Sequence, residues 1–433
     1  MSKNQMDVKL IYGVNDKPQI LMQILLGLQH IFAAFGGIIV VPIVVSAALK
    51  FDAQTSTALI SGAILAAGVA TFIQSKGIGP VGARVACIMG TDFTFVAPAI
   101  AVGGKFGLSG IFGATILGAF MVIILSFFVK PLMKLFPPIV TGTVVSLIGL
   151  TLLPVSIDWA AGGVGSPNYG DLKNIGIALF IMAVTLLLNH YGKGLISSAS
   201  ILIGMIIGYI VCIPLGMVDF SSVSKASWIE LPRILAHGVN FNLEAVLPFI
   251  PAYFVTVIGT VGCLKAISEV SQIRSDEKPI AAGVLSDGVG SMLAGFFGAM
   301  PNTSFSQNIG LIPLTKVASR YVTMMAGILL IILGLFPKFA ALINIMPQPV
   351  LGGVGIVMFG TVAAAGIQTL STVKISNRNM LIVATAIGLG LGVTFRPEFI
   401  AKLPEALKMI FSSGISTGTI VALLLNVILK EDK

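Results

Sequence analysis

Apolar runs long enough to cross a lipid bilayer recur along nearly the whole of this 433-residue chain. A hydrocarbon core about 30 Å thick takes roughly 20 apolar residues in a helix. Reading the runs between polar breaks gives fourteen segments: 19–47, 55–75, 79–103, 107–129, 135–157, 174–190, 195–217, 245–268, 279–299, 300–316, 317–337, 348–370, 379–395 and 406–429. No other feature constrains the fold as tightly, because backbone in lipid must satisfy its own hydrogen bonds. Composition decides one further point. Only 10% of residues are charged, against about 25% in a soluble domain, too few to cover a water-facing surface. The class is an all-α polytopic membrane protein.

Residues 1–18 are polar, and the run after them is too long for the apolar stretch of a cleavable signal, so the first segment is read as the insertion signal itself. Cys87, Cys212 and Cys263 fall inside spans, which argues for small packing residues and against a disulfide framework. The net charge of +9 resembles a nucleic-acid signal until the charges are placed. They sit singly in short loops and report orientation instead. An even segment count puts both termini on one side. With the termini inside, most of the 26 Lys and Arg fall on the inner face, among them Lys3, Lys76, Lys130, Lys134, Lys193, Arg274, Lys316, Arg320, Lys374, Arg378 and Lys430. That is the positive-inside pattern, and it predicts cytoplasmic termini in a cell (inner or plasma) membrane.

The same sorting isolates exceptions. Of the acidic residues only Asp92 and Asp287 lie well inside spans, and of the histidines only His30. Ionisable side chains at such depth are costly and are functional candidates by default.

The chain also resembles itself at a displacement of 210 residues. "FPPIVTGTVV" from Phe136 aligns with "MPQPVLGGVG" from Met346, matching Pro137 to Pro347, Val140 to Val350 and Gly142 to Gly352. The same shift lays Thr94 on Ser304 and Phe95 on Phe305. Seven segments per copy is an odd number, so the second copy enters from the opposite face. Such inverted repeats are a common transporter plan, with the substrate at broken, Gly/Pro-rich segments in matching positions. Here these are segments three (79–103) and ten (300–316), and the second reads "PNTSFSQNIGLIPLTK", oddly polar for membrane depth.

These motifs resemble those of the nucleobase–ascorbate transporter family. "QNIGLIPLTK" fills its signature with Gln307, Asn308, Gly310, Thr315 and Lys316. "GLQHIFAAFGG" is similar to its first-segment motif around His30, "GTDFTFVAP" to its third-segment motif, and "LSDGVGSM" to its ninth, carrying Asp287. The resemblance implies fourteen segments as two inverted repeats, with short antiparallel strands in segments three and ten. It implies a core domain from 1–130 and 245–337 and a gate domain from 131–244 and 338–433. Dimers through the gate are common in the family, so a homodimer in the bilayer is expected, with no cofactor.

A purine presents donors and acceptors along one edge, and a side-chain amide offers one of each. Gln307 is the expected grip. The resemblance associates Gln here with oxidised purines such as xanthine and uric acid, and Glu with uracil. Asn308 is expected to brace the strands or the site, Ser304 and Gly259 to line it, and Phe93 or Phe95 to stack on the ring. The family pattern has Glu and then Asp in segment eight where this chain has Gly259 and Cys263. Asp92 stands where relatives have Asn, and is expected to supply the missing acid and carry H+. The competing reading makes Asp92 a cap on the half-helix that follows. Asp287 and His30 are expected in a polar network behind the site.

The implied activity is H+-coupled import of a purine, xanthine or uric acid, by alternating access. Rivals are a Na+-coupled or uncoupled carrier of uracil or another base, and an anion carrier of the same architecture. An anion carrier wants cations at the site, and the midplane residues here are acidic. An embedded enzyme would need a clustered metal or nucleophile motif, which three scattered histidines and three scattered cysteines do not supply.

Overall fold

The computed structural model describes residues 10–131, 136–230 and 234–429. Lys3, Lys134 and Lys430, counted above toward the inner face, lie outside the described residues, as does the start of the segment at 135–157. The described chain is mostly helical. Its main helices are α1 (Ile20–Ala48), α2 (Ala53–Lys76), α3 (Val96–Leu125), α4 (Pro138–Ala160), α5 (Leu172–Tyr191), α6 (Ser200–Cys212), α7 (Phe249–Val270), α8 (Glu277–Phe296), α9 (Arg320–Gly334), α10 (Pro337–Asn344), α11 (Gln348–Ser371), α12 (Asn377–Phe395) and α13 (Gly414–Ile428). Among the described residues nine helical stretches are long and apolar enough to cross a membrane, and two bent helix pairs pass that test only when joined. The runs at 79–103 and 107–129, read from sequence as two segments, meet in one helical stretch. α3 carries the end of the first run and most of the second, broken at Gly107, whose φ of 66° no regular helix contains.

The expected strands exist. β1 (Met89–Thr91) and β2 (Asn302–Ser304) pair antiparallel, Met89 opposite Ser304 and Thr91 opposite Asn302. Each runs into a 3₁₀ turn, Phe93–Phe95 after β1 and Ser306–Asn308 after β2. Gly90 and Pro301, both poor helix residues, interrupt helical hydrogen bonding in these stretches. The ladder and buried hydroxyls then satisfy the strand backbone, the condition for any strand at membrane depth.

Two helical sets surround this ribbon. α2 packs along α9 and α8 along α3, while α4 packs along α11 and α12 along α13. Lipid is as apolar as leucine, so these seams are held by close backbone approach at small residues. A Cβ at Gly68 of α2 would stand 2.6 Å from the Ile331 nitrogen of α9. At Gly149 of α4 it would stand 2.3 Å from the Ala363 nitrogen of α11.

The repeat is visible in the structure with one correction. Pro137 and Pro347 are both N-caps, of α4 and α11, as the displacement of 210 requires. The strand-and-turn units, however, correspond at 213, since Met89–Thr91 matches Asn302–Ser304 and Phe93–Phe95 matches Ser306–Asn308. Thr94 therefore corresponds to Gln307, not Ser304. The connections between ribbon and α4 or α11 differ in length, so a single gapless shift cannot serve both places.

Candidate functional site

The ribbon is anchored the same way in both copies. Thr71 of α2 holds the first residue of β1, its hydroxyl accepting from the Met89 nitrogen (2.9 Å) and donating to the Met89 carbonyl (3.3 Å). Ser291 of α8 does the same for the first residue of β2, with both Asn302 backbone contacts at 3.0 Å. Thr91 adds a tie to α1 through the Ile38 carbonyl at 2.8 Å. The pairing continues one residue beyond each strand, Asp92 nitrogen to Pro301 carbonyl (3.0 Å) and Phe305 nitrogen to Ile88 carbonyl (2.8 Å).

Asp92 is buried and caps the 3₁₀ turn. Its Oδ1 accepts from the Thr94 nitrogen at 2.9 Å and from the Thr94 hydroxyl at 2.7 Å. The capping role weighed from sequence is therefore present. Its other oxygen accepts from the hydroxyl of Thr256 on α7, a contact outside the cap. Thr256 has a second acceptor in reach, the Ala252 carbonyl at 3.1 Å, and only one proton to give. The hydroxyl is thus able to donate to a carboxylate, or to turn to Ala252 and accept from a carboxylic acid.

Asp287 of α8 lies deeper, 1% exposed. It accepts from the Thr260 hydroxyl, from the Ser304 hydroxyl (3.0 Å) and nitrogen (3.3 Å), and distantly from Thr303 (3.5 Å). Ser304 also accepts from Gln74 of α2 at 3.1 Å, and Gln74 in turn accepts from the Ala83 nitrogen at 2.9 Å. Asp287 thus sits within a buried hydrogen-bond network. Ser304, expected to line the site, is committed to that network.

His30 of α1 is bound by Asn308. The Asn308 amide donates to the His30 carbonyl (2.8 Å) and lies 3.1 Å from its Nδ1. Asn308, expected to brace the strands or the site, ties the second turn to α1, and its Oδ1 is buried without a partner among the described residues. Gln307, one residue before, is exposed, and its amide forms no hydrogen bond with the described protein. Gly259 is also exposed, with nothing within 4 Å of a Cβ built there.

The two candidate aromatics separate. Phe93 meets Phe359 of α11 edge-on, ring centroids 5.6 Å apart, where the two helical sets touch. Phe95 is fully buried against Tyr253 (4.5 Å) and Phe249 (5.4 Å) of α7. It has no face left for a ligand, which corrects its expected stacking role. Sequence reasoning missed Gln74, Thr256 and Thr260. A buried glutamine in "FIQSKG" and threonines four apart in "VTVIGTVG" were the available signals.

Asp92 and Gln307 are not neighbours along the ribbon. Antiparallel pairing puts Asp92 beside Pro301 and Phe305 beside Ile88, about 13 Å of strand apart at ~3.3 Å per residue. The two turns thus enter the site from opposite ends of one ribbon.

A family model described as "Permease family" matches residues 21–399. The chain belongs to this permease family. A Clostridium perfringens protein provisionally named a purine permease is 68% identical over 98% of this chain and 94% of its own length. The Bacillus subtilis xanthine permease is 38% identical, covering 93% of this permease and 92% of itself. Among solved structures, the transmembrane domain of a cyanobacterial bicarbonate transporter, BicA, superposes with a TM-score of 0.59 at 14% identity, over 90% of this permease and 100% of that domain. At that identity the likeness concerns fold alone. As a permease the chain is a transporter of the membrane and not an enzyme.

Proposed function

We propose that this permease imports a purine nucleobase, xanthine or uric acid, together with H+. A core of α1–α3 and α7–α9 with the ribbon moves against a gate of α4–α6 and α11–α13. The observation that carries the reading is the free amide of Gln307. Around it, the polar side chains of Asp287, Ser304 and His30 are engaged with protein; the Asn302 amide also lacks a partner but is fully buried, whereas Gln307 presents an exposed donor and acceptor with no described protein partner. Such a pair fits the edge of an oxopurine. Xanthine is the substrate class in the name of one relative and purines in that of another, which supports the same choice.

Phe93 covers the base from the core side at the contact with Phe359, and Gly259 leaves room for the ring. Asp92 takes the proton, with Thr256 able to serve both forms of its carboxyl as described. The acids at the ribbon disfavour a small inorganic anion as cargo despite the fold shared with a bicarbonate carrier, whereas H+ taken up with the base offsets the charge of urate.

The test is uptake of labelled xanthine in cells or proteoliposomes, competed by unlabelled bases at two pH values, with and without a protonophore. The reading expects competition by uric acid, little by uracil, and loss of accumulation with the protonophore. Asp92→Asn should keep exchange of purine across the membrane and lose accumulation driven by a pH gradient. Full pH-driven accumulation in that variant overturns the role of Asp92, and indifference to all purines overturns the substrate.

A further inference from the structure

An apolar cleft of about 600 Å³ lies away from the ribbon, enclosed by α1, α6, α9 and α10. Phe32 and Phe35 of α1, Leu202 and Met205 of α6, Leu333 of α9 and Leu342 of α10 give its character. Its only hydroxyl is that of Tyr209, which has no hydrogen-bond partner. α1 and α9 belong to one helical set and α6 to the other, so the cleft opens along the boundary between them. Beside it the sets touch directly, a Cβ at Gly36 of α1 standing 2.9 Å from Ile201 and 3.5 Å from the sulfur of Met358.

α10 fixes the medium around this cleft. It turns away from α9 by 82°. With Arg320 at one face, the 15 residues of α9 rise about 22 Å at ~1.5 Å each, which brings the bend to within about 8 Å of the opposite edge of the ~30 Å hydrocarbon, and α10 turns to run along that face. The underside of α10 roofs the cleft. Lys338, one turn before Leu342, shares that face. Its ammonium lies 4.5 Å from the ring of Trp228, which is 71% exposed. Trp beside Lys at this depth is the composition of the headgroup belt. On the outer rim Ile206, Ile210 and Ile332 are exposed to the bilayer.

We propose that the cleft is a binding site for one anionic phospholipid, an acyl chain filling the hollow and the headgroup phosphate resting on Lys338. Water finds no polar partners inside apart from Tyr209, so the hollow is not a water site. The apolar hollow and the cation at its rim correspond to the two ends of one lipid, in the order in which the bilayer presents them. Seated there, the chain is a wedge between the helical sets. It bears on α1, whose His30 holds the turn carrying Gln307.

The test uses the full-length protein purified in mild detergent and incubated with phosphatidylglycerol or phosphatidylcholine, with retained lipid counted by native mass spectrometry. The wild type should keep one phosphatidylglycerol in preference to phosphatidylcholine. Leu202→Trp, which fills the hollow, should lower retention of both lipids at least fivefold. Lys338→Gln should leave acyl binding and remove about fivefold of the preference for the anionic lipid, equivalent to about 1 kcal/mol. Stabilisation by xanthine on thermal melting identifies folded variants, and Leu333→Trp on the opposite wall replaces Leu202→Trp if the latter fails that check. Equal lipid retention in wild type and a folded cleft-filled variant overturns the proposal. So does a lipid-free dimer that covers the cleft with a second copy of the chain.

Discussion

Thr256 and Thr260 stand one helical turn apart on α7, and their hydroxyls donate to different carboxylates, Asp92 and Asp287. Asp92 belongs to the first copy of the repeat and Asp287 to the second, so one face of one helix ties both copies together. Gly259 lies between the two threonines, on the exposed side of the same turn. The family pattern read from the sequence expects a glutamate at that position. Here the acids approach α7 from outside it, and α7 contributes hydroxyls and an open space.

Thr256→Val keeps the branched shape and removes the hydroxyl, leaving one buried oxygen of Asp92 without its donor. An unmade bond to a buried polar group costs about 1–3 kcal/mol. The variant should melt at a lower temperature than the wild type in the same detergent, while Thr256→Ser should restore most of the loss. Equal melting of the Val and wild-type proteins would show that the contact contributes nothing.

Gln307→Glu exchanges an amide that donates and accepts for a carboxylate that only accepts. Sites built to hydrogen-bond a substrate discriminate strongly when one partner is lost, by about 1–3 kcal/mol per unpaired buried group. Xanthine uptake should fall about tenfold or more at constant expression, and competition by uracil should rise relative to that by purines. Competition constants for the two bases in the variant measure this directly.

Asn308 acts at one remove. Its amide pins the second 3₁₀ turn to His30, so Asn308→Ala frees the turn that carries Gln307 without touching the base. KM for xanthine should rise about tenfold with a smaller change in maximal rate, the signature of weakened ground-state positioning. His30→Ala retains the carbonyl contact at 2.8 Å and should have the milder effect. A larger loss in maximal rate than in apparent affinity would argue that Asn308 has another task.

Much of this arrangement was legible in the sequence because membrane depth makes polar residues conspicuous. Asp92, Asp287 and His30 stood out as the ionisable groups within spans, and each proved buried and hydrogen-bonded. The broken runs at 79–103 and 300–316 announced the ribbon through their Gly, Pro and hydroxyl content. What sequence left hidden depends on direction. Thr94 and Ser304 align by a gapless shift, yet antiparallel pairing and a longer connection make Gln307 the counterpart of Thr94. Phe93 and Phe95 are two residues apart in one 3₁₀ turn, and only the fold sends one toward α11 and the other into α7. Gln74 and the α7 threonines were invisible for a simpler reason: such residues commonly bond their own helix, and their inter-element bonds need three dimensions.

The seam between α4 and α11 tests whether close backbone approach, rather than side-chain bulk, joins these two helices. A side chain at Gly149 would begin 2.3 Å from the Ala363 nitrogen and 2.6 Å from the Phe359 carbonyl. Neither is the movable end of a side chain, so Gly149→Val must separate the helices. Overpacking of this kind costs about 1–3 kcal/mol. The separation would also displace Phe359 from Phe93, so thermal stability and xanthine uptake should fall together. Gly388 of α12 is the control, because nothing lies within 4 Å of a Cβ there, and Gly388→Val should leave the melting temperature near that of the wild type. If the two variants melt alike, the seam is not what holds α4 to α11. If Gly149→Val loses stability but transports normally, the Phe93–Phe359 contact is dispensable for the base.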